Sequence, residues 1–97
     1  MNRKIRLSGR AKKQLDTLLI YLENEWSVKI KNNFILKIEE SFKLIQGHPD
    51  SFPASEKIKG LRKCVVTKQT TFYYKYSETT IDIITLFDNR RNPQSMK

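Results

Sequence analysis

Apolar positions along the chain change period once, from spacings of three and four before Gly47 to alternation after Gly60. The pattern therefore predicts helices first and sheet second. Ile5 and Leu7 alternate with Lys4 and Arg6, as a short opening strand requires. Ser8 is placed to cap a helix whose apolar stripe is Ala11, Leu15, Leu18, Leu19, Leu22 and Trp26. Ser27 is a second cap, followed by a stripe of Ile30, Phe34, Ile38, Phe42 and Ile45, and Gly47 is placed to end that helix in the left-handed conformation. With almost no residues between them, the two helices form an αα-hairpin. Pro49, Asp50, Pro53 and Gly60 mark residues 48–60 as a loop, because proline supplies no ladder donor.

Three segments rich in β-branched and aromatic residues follow at 61–66, 71–76 and 80–87. Their short polar connections imply an antiparallel meander. In the middle segment Phe72, Tyr74 and Tyr76 share one face and Thr71, Tyr73 and Lys75 the other. The first set is assigned to a core beneath the helices, together with Trp26, Phe34 and Phe42. Asp88, Asn89 and Pro93 stop the last strand. The expected fold class is α+β: a short N-terminal strand, an αα-hairpin, and a three-stranded antiparallel meander forming one sheet packed on the helices.

Ninety-seven residues fit one domain, expected to span 1–97. The single cysteine, Cys64, excludes an intramolecular disulfide and Cys-rich metal sites, so a reducing cytoplasm is expected. The longest aliphatic or aromatic run, residues 18–22, is far short of the roughly 20 residues of a membrane span. Only three glycines are present and they build no phosphate-cradling loop; no cofactor and no metal are expected.

Nineteen Lys and Arg against ten Asp and Glu give a net charge of +9, unevenly placed. Residues 1–13 carry six basic side chains and no acid. Residues 57–75 carry Lys57, Lys59, Arg62, Lys63, Lys68 and Lys75, again without an acid, and Arg90 and Arg91 follow the last strand. On one sheet face, Lys63, Lys68, Lys75 and Arg91 would make a phosphate-binding surface, with Tyr73 able to stack on an unpaired base. A solvated charge distribution and a packed strand tyrosine are the plain alternatives.

The opening strand, Ser8, Ala11, Leu15, Tyr21, Trp26-Ser27, Phe34, the Pro49 and Pro53 loop, Leu61-Arg62-Lys63, Phe72-Tyr73-Tyr74 and the closing Asp88-Asn89-Arg90-Arg91-Asn92-Pro93 occur in a specific order. In that order the chain resembles the RelE/ParE superfamily of type II toxins over nearly its whole length. The resemblance implies a small toxin neutralised by a cognate antitoxin that wraps around it, with a site on the concave sheet face.

The superfamily has two activities. RelE-like members cleave mRNA on the ribosome, a reaction that needs cations around a negatively charged phosphorane and a proton shuttle. Arg90 and Arg62 match RelE-type basic positions and are the candidate catalytic residues. The rest of that set is incomplete: Cys64 and Thr71 stand where basic residues are found, and the tail 94–97 lacks a tyrosine or histidine. The sole histidine, His48, lies beside Pro49, where capping suits it better than catalysis, and Asp88 beside Asn89 suits a turn cap. ParE-like members instead poison DNA gyrase by binding. The paired arginines place a ribosome-associated mRNA endoribonuclease slightly ahead, with gyrase inhibition as the alternative.

Overall fold

The computed structural model describes residues 3–90. Arg91 and the rest of the expected tail lie outside the described residues. The chain forms β1 (Lys4–Leu7), α1 (Gly9–Glu25), α2 (Val28–Gly47), a 3₁₀ turn (Pro49–Ser51), β2 (Arg62–Val65), β3 (Thr70–Tyr76) and β4 (Thr80–Asp88). The four strands make one sheet in the order β1-β4-β3-β2. The α+β architecture is the one the periodicity predicts. The meander β2-β3-β4 is antiparallel, whereas β1 joins it by pairing parallel to β4.

Both serine caps form as expected. The Ser8 side chain accepts from the Ala11 N–H at 2.9 Å and the Ser27 side chain from the Ile30 N–H at 3.0 Å, each satisfying a donor with no partner inside its helix. Ala11, Leu18 and Leu22 of α1 and Phe34, Ile38 and Ile45 of α2 are buried against Phe72, Tyr74, Ile81, Ile83 and Leu86. Phe42 packs on Phe72 with ring centroids 5.3 Å apart.

Two local expectations are corrected. Trp26 is 57% exposed rather than in the core. The α1 helix ends at Glu25, and Trp26, with φ −123° and ψ −89°, is its cap, so its side chain leaves the helical stripe. Gly47 is the last residue of α2 and is not left-handed; His48 caps the helix, donating its N–H to the Leu44 carbonyl at 2.9 Å. Among the described residues Gly60 is the one with positive φ, +88°, and it turns the loop into β2.

A bulge in β4 sets the two faces of the sheet. Tyr74 is opposite Ile83 and Tyr73 is opposite Thr85, so Ile84 is an extra residue. Ile81 and Ile83 point to the core before it and Leu86 after it. The bulge is held from α1: the Gln14 Oε1 accepts from the Leu86 N–H at 3.0 Å and from the Thr85 Oγ1 at 2.9 Å. Ser8 donates from Oγ to the Ile84 carbonyl at 2.6 Å. These side chains serve the edge of β4 where it runs past the end of β1.

Phe34→Ala should lower unfolding free energy by about 3 to 5 kcal/mol, whereas Trp26→Ala should change it by less than about 0.5 kcal/mol, as for an exposed site. Urea denaturation of the two variants checks both.

Candidate functional site

After the bulge the phase of β4 is reversed, and its end faces the helices. Thr70 and Asp88 are paired across β3 and β4, and Thr70 is fully buried. The Thr70 hydroxyl donates to Asp88 Oδ2. Asp88 Oδ1 accepts from the Arg90 backbone N–H at 2.9 Å, the turn-capping role expected for it. The Arg90 guanidinium bonds both Asp88 oxygens, Nε to Oδ1 at 3.3 Å and Nη2 to Oδ2 at 2.9 Å. This is a fork-to-carboxylate pair, with side chains 18% and 3% exposed. The guanidinium also lies 5.5 Å from the Phe34 ring centroid, on α2. Tyr21 reaches the same corner from α1, its hydroxyl donating to the Arg90 carbonyl at 3.4 Å.

Arg62 takes a different position. It is opposite Tyr74, and its Nη1 donates to the Phe52 carbonyl at 2.5 Å and to the Asp50 carbonyl at 3.4 Å. Its guanidinium lies 5.8 Å from the Tyr76 ring centroid. Arg62 thus fastens the loop before β2 to the sheet. The two candidate catalytic arginines are not brought together: Arg90 lies by Thr70 and Arg62 by Tyr74, four residues along β3, or about 13 Å at the rise of a strand.

The other candidates divide between faces. Lys63, Tyr73 and Thr85 form one cross-strand row on the face away from the helices, and Lys75 stands opposite Asp82 in the next. Asp82 is bound by Arg6 at 2.8 Å, so that row is partly neutralised. Tyr73 is only 6% exposed, which leaves little ring for stacking. Lys68 sits in the β2–β3 turn, lining with Lys37, Phe34 and Arg90 a cleft of ≈430 Å³ on the helix side.

The resolved pKa shifts all run upward. The Arg6 guanidinium is raised by its hydrogen bond to Asp82 and by that carboxylate's charge. Burial raises the Cys64 thiol, against a smaller opposing hydrogen bond with Ser41, so it is no thiolate nucleophile at neutral pH. Tyr74 is pushed up to about 12, first by burial; its hydroxyl donates to the Pro49 carbonyl at 2.6 Å. The residues that sequence reasoning missed are Gln14 and the bulge at Ile84. Their one trace is the three-residue step from Ile83 to Leu86, where alternation would place the next core residue at Thr85.

The family model described as ParE toxin of type II toxin-antitoxin system, parDE, matches residues 5–93. The chain belongs to this ParE toxin family. A curated relative, Toxin ParE1 of Caulobacter vibrioides, is 30% identical over 69 residues, covering 70% of this chain and 72% of that protein. Among solved structures, a chain of the chromosomal ParDE system of P. aeruginosa aligns with a TM-score of 0.74 at 15% identity, covering 89% of this chain and 95% of that one. A chain of the E. coli DinJ-YafQ toxin-antitoxin complex aligns at 0.58 and 17% identity, covering 92% and 94%. These likenesses support the RelE/ParE-like fold of this ParE-family toxin. Among its described residues no helix is long and apolar enough to cross a membrane.

Arg90→Ala would strand the carboxylate of Asp88 in a site where it is 3% exposed, and should cost about 3 kcal/mol of stability, read by urea denaturation. Tyr74 gives a pH signature. Its folded pKa lies above the ordinary value near 10, so its contribution is complete below pH 10 and is lost as pH rises towards 12. Tyr74→Phe should flatten that part of the stability profile, measured as denaturation midpoints at pH 9 to 12.

Proposed function

We propose that this ParE-family toxin arrests growth by binding DNA gyrase, without nuclease activity of its own, and that a cognate antitoxin neutralises it. The observation that carries the first part is the separation of Arg62 from Arg90. Cleavage of RNA needs cations converging on one phosphate and a group that moves a proton. Each arginine is instead engaged locally, Arg62 with loop carbonyls and Arg90 with Asp88. Asp88 is saturated: Oδ1 accepts from the Arg90 N–H and Nε, and Oδ2 from Thr70 and the Arg90 Nη2. It has no lone pair directed at a substrate. Inhibition by binding needs none of this chemistry, and the family match supports it.

The mRNA-cleavage reading keeps one observation in its favour, the Lys63 and Tyr73 row on the face away from the helices. The antitoxin assignment is supported by the family description and by relatives solved as toxin-antitoxin complexes. Physically, a chain of net charge +9 that exposes Ile20, Leu36 and Leu44 on its helices suits an acidic, amphipathic segment that folds on binding.

The full chain should inhibit gyrase supercoiling and leave transcripts intact in a ribosome-programmed cleavage assay run beside it. Transcript cleavage with unimpaired supercoiling would overturn the proposal.

A further inference from the structure

We propose that the sheet face away from the helices carries a binding pocket for a phosphomonoester on an apolar body, a ligand that neither gyrase nor antitoxin binding requires. The pocket encloses ≈590 Å³, within the range of small-molecule sites. It lies beside the β4 bulge, between the first turns of α1 and the loop that leads into β2.

Its polar lining is made of donors. Arg10 and Lys57 bring two cations, and no carboxylate is among the described lining residues. Gln14 has its Oε1 occupied by Thr85 and the Leu86 N–H, so its amide N–H₂ is the part left to face a ligand. Tyr73 is the decisive residue. It is 94% buried by its 6% exposure, yet its hydroxyl has no hydrogen-bond partner among the described residues and is not sealed from solvent. The ring is held in place by burial while the hydroxyl stays open to the pocket, where a ligand acceptor can take the place of water.

Two cations and two neutral donors suit a group with several acceptor oxygens and nearly two negative charges. A phosphomonoester, carrying about −1.5 to −2 at pH 7, meets this and a monocarboxylate does not. The walls set the rest of the ligand. Ile58, Leu61 and Phe87 are apolar, and the Lys57 ammonium sits 5.1 Å from the Phe87 ring centroid, next to the surface on which the organic part would pack. The hydrogen bonds from Thr85 and the Leu86 N–H to Gln14 tie this floor to α1.

The test is isothermal titration calorimetry of the full chain with AMP, phenyl phosphate, adenosine and inorganic phosphate. Saturable binding of AMP and phenyl phosphate is expected, with adenosine and inorganic phosphate at least tenfold weaker. Arg10→Gln should weaken AMP about tenfold and Tyr73→Phe about fivefold, the latter keeping the ring and losing one hydrogen bond. Lys12→Gln, exposed on α1 and outside the pocket, should bind as the parent chain does. A 5′-phosphorylated oligonucleotide binding more tightly than AMP would assign the pocket to nucleic-acid ends, and the opposite order to free nucleotides; both support it. No saturable binding of AMP at millimolar concentration would overturn the proposal. So would affinity unchanged in both Arg10→Gln and Tyr73→Phe, or adenosine binding as well as AMP. The readout is independent of toxicity, so a failure of the gyrase assignment leaves it standing.

Discussion

Gln14 accepts two hydrogen bonds from β4, and both depend on Ile84 being one residue too many for the pairing with β3. That extra residue reverses the phase of the strand. Strict alternation would turn Thr85 and Phe87 to the core and Asp88 to the open face; the bulge turns Leu86 inward and sets Asp88 against the buried Thr70. Arg90, drawn by Asp88, then lies against Phe34 on the helix side. A side-chain clamp near the start of α1 thereby decides on which face the chain leaves the sheet.

The same economy governs the charges. Although the chain carries +9, three of its arginines are used for structure: Arg62 on the carbonyls of Asp50 and Phe52, Arg6 on Asp82, Arg90 on Asp88. Among the lysines, Lys31 pairs with Glu23 and Lys57 lies over the Phe87 ring; as flexible point charges lysines are suited to attracting an acidic partner and less to holding a transition state. These three arginines are thus engaged in holding the fold and do not converge on one site.

What was legible in the sequence was local. The Ser8 and Ser27 caps, the stripes at three and four, and the alternation of Phe72 and Tyr74 each depend on neighbours a few residues away. The family resemblance drew on the same residues in order. What escaped was decided over long range or by one residue of phase. The partner of β1 is β4, more than seventy residues on, and no periodicity names it. Trp26 continues the helical spacing in sequence while its backbone has already left the helix. Arg62 and Arg90 look like a pair because both flank strands, but the bulge and their local acceptors hold them apart. Gln14 reads as one more polar helix residue until the edge of β4 is placed beside it.

Amide hydrogen exchange at Leu86 tests the clamp most directly. Its N–H points to Gln14 and away from β3, on an edge that β1 does not cover. Slow exchange is predicted in the parent chain, with a loss of at least about tenfold in protection in Gln14→Ala, while the Phe72 amide stays protected as an internal reference. Leu86 exchanging at an unprotected rate in the parent chain, or equally slowly in the variant, would contradict the account.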